Sequence, residues 1–213
     1  MSGLTKETAR RMFDKAGKSI SLYERNADKC AALLTLLESK TETDMLNALR
    51  GILNTSLMLD FINLDLCAAY RQYLSAELST KYDKRQAITK INVIMSEGYK
   101  KIYGFEGDSR KSSYWINQIK TVVDFLGDFD KEYMDLEGKL KNFGNNNILN
   151  KDMRDLTVHY DAAPMRVYKM LSELSAEDVS KRCSEFYCIL NKITVFVSCL
   201  TCIMKSRILK AVL

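Results

Sequence analysis

The sequence predicts an all-α protein, and three observations carry that expectation. Proline occurs once in 213 residues, at Pro164, and glycine nine times, which leaves few places for the turns of a sandwich or barrel. Apolar residues recur at alternating steps of three and four over long stretches, the spacing of one helix face. A content of 46% hydrophobic and 28% charged residues is that of a globular chain able to bury a substantial core, and residues 1–213 read as one domain. The expected architecture is an antiparallel bundle of four to five long helices, with short helices ahead of the last long one.

The first helix is justified by Phe13, Ala16, Ile20, Tyr23, Ala27, Cys30, Leu34 and Leu37, a seven-residue repeat suited to shallow-angle packing. Thr41 to Thr43 ends it, and Thr43 is placed to cap the next helix. That second helix runs from Asp44 to about Leu78 and becomes apolar on most sides through Leu57, Leu59, Phe61, Ile62, Leu64 and Leu66, which marks a central helix. Asp60, Asn63 and Asp65 interrupt it. Each is read as an edge residue facing solvent or a loop, although any of them, if buried, needs a partner and could face a site.

Ser79 or Thr80 caps a third helix with Ile88, Ile91, Met95 and Ile102 inward and lysines and arginines on the solvated side. Gly104 to Ser113 reads as a mobile surface loop. Arg110 and Lys111 within it could meet phosphate, but a loop without such a role is the preferred reading. A fourth helix spans Ile116, Ile119, Val122 or Val123, Leu126, Phe129, Tyr133, Leu136 and Leu140, with Gly144 as its expected C-cap. Two short helices follow, separated by a break at Asp161 to Pro164. Ser175 and Asp178 make a weak capping box for the last helix, whose inner positions are Val179, Cys183, Phe186, Leu190, Ile193, Val197, Leu200 and Met204.

A net charge of +5 is compatible with an acidic partner such as RNA, but it is weaker than the basic stripe of a dedicated nucleic-acid binder. Six cysteines spread along helical faces suggest reduced, buried thiols and a cytoplasmic protein. No signal peptide is expected, because the N-terminal stretch lacks an apolar core. The run Ile193 to Met204, bracketed by Lys192 and Lys205, is too short to span a bilayer and reads as a buried helix, so no membrane is expected. Cys199 and Cys202 form a C-x2-C inside that helix with no second pair, a core pair rather than a zinc site. Neither metal nor cofactor is expected, since no phosphate loop, H-E-x-x-H or G-x-S-x-G occurs.

Lys151 to Asp161, K-D-M-R-D-L-T-V-H-Y-D, looks most like chemistry, because it holds the only histidine. On a helix, Asp155 and His159 are four apart and share a face, so the carboxylate can accept from a ring N–H and fix the tautomer. Arg154, five residues before His159, lies about 140° around the axis from it. For the arginine to join them, its side chain must wrap round, the helix must end near His159, or a second subunit must supply its own copy. The bland alternative is that Arg154 and Asp161 form ordinary ion pairs and His159 fills a polar niche.

The order R-D-x-x-x-H resembles the R-x4-to-6-H signature of the HEPN superfamily, small all-helical domains that include metal-independent ribonucleases and non-catalytic nucleotide-binding or scaffolding members. The resemblance implies short helices carrying the motif before the last long helix, a homodimer with two facing motifs, and cleavage of RNA through its 2'-hydroxyl. Under it His159 is the general acid or base, Arg154 holds the scissile phosphate and Asp155 orients. A toxin or defence role, with an antitoxin or partner protein, is the corresponding expectation. Family members often carry a tyrosine two residues after the histidine; here Asp161 stands there and the tyrosine is Tyr160. The other reading is a non-catalytic helical interaction or nucleotide-binding module that acts through dimerisation.

Overall fold

The computed structural model describes residues 6–75, 80–105, 107–145 and 164–212, and among these every regular element is helical. Helix α1, Lys6–Glu38, is 33 residues, on the order of 50 Å at 1.5 Å per residue. Its predicted inner positions are all withdrawn from solvent: Ala16, Tyr23 and Ala27 are buried, and Phe13, Cys30, Leu34 and Leu37 pack partly buried against the core. The guanidinium of Arg50 closes its C-terminal end by donating to the carbonyls of Leu37, which also accepts from the Lys40 N–H, and Lys40.

Helix α2, Asp44–Ser75, begins with the expected cap, the Thr43 hydroxyl accepting from the Leu46 N–H at 3.2 Å. It is the central element, packed on α1 and on α3, Lys81–Ile102. Ile52, Leu53, Leu59, Leu66 and Ala69 are each at most 2% exposed. Asp60 and Asn63 are buried too, against the expectation that they lie on an edge, while Asp65 is exposed as expected. Helices cover α2 on several sides at that level. The Asn63 amide answers by donating to the Leu59 carbonyl at 2.9 Å.

Thr80 caps α3 in a full capping box with Asp83. Close packing at its far end depends on Gly98, where an added Cβ would meet Ile62 at 2.9 Å and Phe186 at 3.4 Å. The following stretch is more ordered than the expected loop. One turn of helix, α4 (Asp108–Lys111), forms there, and Arg110 lies 3.7 Å over the Tyr103 ring while donating to the Gly104 carbonyl. Arg110 is thus tied to the fold.

The predicted fourth helix is interrupted. A π-helical turn, Trp115–Ile119, leads into α5, Lys120–Leu126; Gly127 (φ 72) and Phe129 (φ 76) then turn the chain before α6, Asp130–Gly144. Apolar periodicity misses this break because Ile119, Val122, Val123, Leu126, Tyr133, Leu136 and Leu140 remain buried on both sides of it. The signal for the turn was Gly127, whose left-handed conformation ends α5 as a C-cap. Gly144, expected to be such a cap, is instead the last helical residue, and an added Cβ there would collide with the Tyr99 hydroxyl.

Helix α7, Pro164–Glu173, precedes α8, Ala176–Val212, whose start is capped by the Ser175 hydroxyl accepting from the Asp178 N–H. All eight predicted inner positions of α8 are buried, and the helix packs on α2, α3 and α6. The opposite side is another matter: Val195 is 71% and Leu209 63% exposed, and Cys188, Cys199 and Cys202 are exposed beside them. The expectation of a buried helix therefore holds for one face. By length and composition α2 and α8 could each cross a membrane, with 56% and 33% of their most apolar stretches buried here. The expectation of buried thiols is corrected as well. Cys67 and Cys183 are buried and Cys30 partly so, but the Cys199–Cys202 pair lies on the outer side of α8, away from the core.

Candidate functional site

Arg154, Asp155 and His159, with Tyr160 and Asp161, lie outside the described residues. The chain on either side of them meets α3. Gly144 abuts Tyr99 near the C-terminal end of α3, and the Tyr168 ring of α7 lies 5.9 Å beneath the Arg85 guanidinium near its start. Among the described residues, no group of three or more histidine, cysteine or acidic side chains is arranged to hold a metal.

Within the described residues a concavity lies between the first half of α1, the second half of α2 and the start of α8, with a volume of about 610 Å³. The positions that line it follow from helical spacing. Met12, Ala16 and Ser19 recur at steps of four and three on α1, Leu66, Cys67 and Tyr70 on α2, and Cys183, Ser184, Tyr187 and Cys188 on α8. Arg11 and Lys15, four apart on α1, complete the lining.

Beside Cys67 is a polar cluster that joins α1 to α8. The hydroxyls of Tyr23 and Tyr187 are 2.8 Å apart, and Tyr23 also donates to Asn191 Oδ1 at 3.4 Å. Burial, reinforced by the bond to Tyr187, pushes the Tyr23 phenol far above its ordinary value. The Asp60 carboxyl, close enough to act on Tyr23, is pushed up to about 6 by burial. Burial likewise pushes the Cys67 thiol up to about 11 and the Cys183 thiol up to about 12.

Thiols held that high stay protonated at neutral pH and are poor nucleophiles, which leaves Cys67 and Cys183 as uncharged parts of the lining. An apolar recess with a few polar groups and cations is suited to binding rather than bond cleavage. Local sequence pattern hides the recess, because its walls come from three helices far apart in the chain. The usable signal was a pair of cations four residues apart, flanking the inward positions Met12 and Ala16. No family model, curated protein or solved structure matches the chain, so the HEPN resemblance rests on Arg154 to His159 and their helical context.

Proposed function

We propose that the protein is a metal-independent endoribonuclease of the HEPN type, acting as a homodimer in a toxin or defence role. The observation that carries this reading is the R-D-x-x-x-H order of Arg154, Asp155 and His159, which hold the chain's only histidine. The all-helical character of the described residues supports it, as does the motif's place ahead of the long last helix. In the proposed architecture an antiparallel bundle of four to five long helices presents short motif-bearing helices at a dimer axis. The chemistry favours two chains: attack by the 2'-hydroxyl needs a base, an acid for the 5'-oxygen and positive charge on the phosphorane. One histidine per chain supplies a single acid–base group, and a symmetric dimer supplies two.

The test is cleavage of several RNAs in EDTA by the wild type, His159→Ala and Arg154→Ala, with equal helicity and oligomeric state verified first. Cutting by the wild type alone, with cyclic-phosphate ends, is the expected result. Intact RNA with the wild type, or undiminished cutting by His159→Ala, rejects the reading. A second reading, a non-catalytic module that binds a copy of itself or a partner helix, is favoured by the apolar side of α8 at Val195 and Leu209. It predicts that Val195→Glu changes the oligomeric state or partner binding while RNA is untouched by any variant.

A further inference from the structure

We propose that the cavity between α1, α2 and α8 binds a single-chain amphipathic anion, an alkyl carboxylate in class. Its chain would lie on the apolar floor and its head group between Arg11 and Lys15. This site is independent of the ribonuclease reading and uses none of its residues.

Three properties select that class. The volume of about 610 Å³ is ample for a small ligand, since such pockets run from roughly 300 to 1,000 Å³. The lining is mostly apolar, with Met12, Ala16, Leu66, Cys67 and Cys183 beside the hydroxyls of Ser19, Tyr70, Ser184 and Tyr187, of which Ser184 and Tyr187 are already bonded to Ser180 and Tyr23, so an alkyl chain fits better than a nucleotide. The charge is one-sided: both ionic side chains of the lining are cations, on successive turns of α1, and no carboxylate among the described residues lines the cavity. An anion gains from that pair, whereas a cation meets it with nothing to offset the repulsion. Snorkelling arginine and lysine stems also extend the apolar wall up to their charged ends.

Cys188 provides a reporter, because it is exposed and lines the cavity, whereas Cys199 and Cys202 are exposed on the same helix away from it. The experiment measures iodoacetamide alkylation at each cysteine of the full chain by mass spectrometry, with laurate added below its micelle concentration. Calorimetry gives the affinity. Laurate is expected to slow Cys188 and leave Cys199 and Cys202 unchanged. Charge reversal in the exposed pair, Arg11→Glu with Lys15→Glu, is expected to weaken laurate about tenfold or more, with helicity unchanged. Ser184→Trp, an exposed residue of the cavity wall, is expected to abolish the calorimetric signal by filling the space. An unchanged Cys188 rate, equal slowing at all three cysteines, undiminished laurate affinity in the double charge reversal, or dodecyltrimethylammonium binding as tightly as laurate overturns the proposal. Protection by acetate alone, or by adenosine monophosphate as strongly as by laurate, overturns it too. Ribonuclease assays do not enter this test, so either reading can fail alone.

Discussion

Replacing Asp60 with asparagine should stabilise the protein at neutral pH, by an amount set by the position of Asp60 in α2. The side chain is 2% exposed, and burial pushes its carboxyl from 3.8 to about 6. Because the folded value exceeds the unfolded one, the protonated form is favoured by folding. Its contribution is fully present below pH 4 and is lost as pH rises through 6. At 1.36 kcal/mol per pH unit, the gap of about two units makes the charged carboxylate cost at most roughly 3 kcal/mol at pH 7.5. Asparagine has nearly the same shape and no charge to desolvate. The variant should therefore match the wild type near pH 4 and exceed it increasingly up to pH 7.5, where the gain is a Tm higher by roughly 6–12 °C for a domain of this size. Urea unfolding at half-unit pH steps measures the difference directly. Parallel wild-type and Asp60→Asn stability curves between pH 4 and pH 8 would show that the carboxyl is not desolvated.

Three further outcomes test the packing. Gly144→Ala should destabilise by about 1–3 kcal/mol, because the new methyl displaces the buried Tyr99 ring, whereas Gly138→Ala on the same helix meets no atom within 4 Å and should gain up to about 1 kcal/mol; thermal melts of both decide it. Arg50→Ala removes the cap from the end of α1 and should cost about 1–2 kcal/mol, with faster hydrogen exchange confined to the last turn of α1 and the start of α2. In the native protein, Ellman's reagent should modify Cys188, Cys199 and Cys202 quickly, and Cys67 and Cys183, whose nearly buried thiols are held protonated in the cavity lining, far more slowly. Rapid native labelling of Cys183 would contradict the burial of α8 at that turn.

Much of the fold was legible because burial on a helix recurs with the helical period. The inner faces of α1 and α8, and the caps at Thr43, Thr80 and Ser175, depend on residues within one or two turns of each other. The interruption at Gly127 was not legible. A turn that returns the chain to the same core preserves the apolar spacing, and one glycine in a periodic stretch is tolerated in many helices. The status of Asp60 was equally hidden, because an acid in an apolar helix can face solvent or interior with the same local sequence.

The candidate sites divide along the same line. A motif such as Arg154 to His159 can be read from six consecutive residues, because its members are neighbours in the chain. The cavity could not be read in this way. Its members are brought together from residues 11–19, 66–70 and 183–188 by how α1 and α8 lie on α2. Helical character, the main capping residues and the inward face of each long helix can be read from the chain alone, since these are set by interactions a few residues apart. Three features come from packing between helices instead: Asp60 is buried, one side of α8 remains exposed, and two cations stand over an apolar recess. Each depends on which helix covers which, and that is settled by the fit of surfaces far apart in the chain.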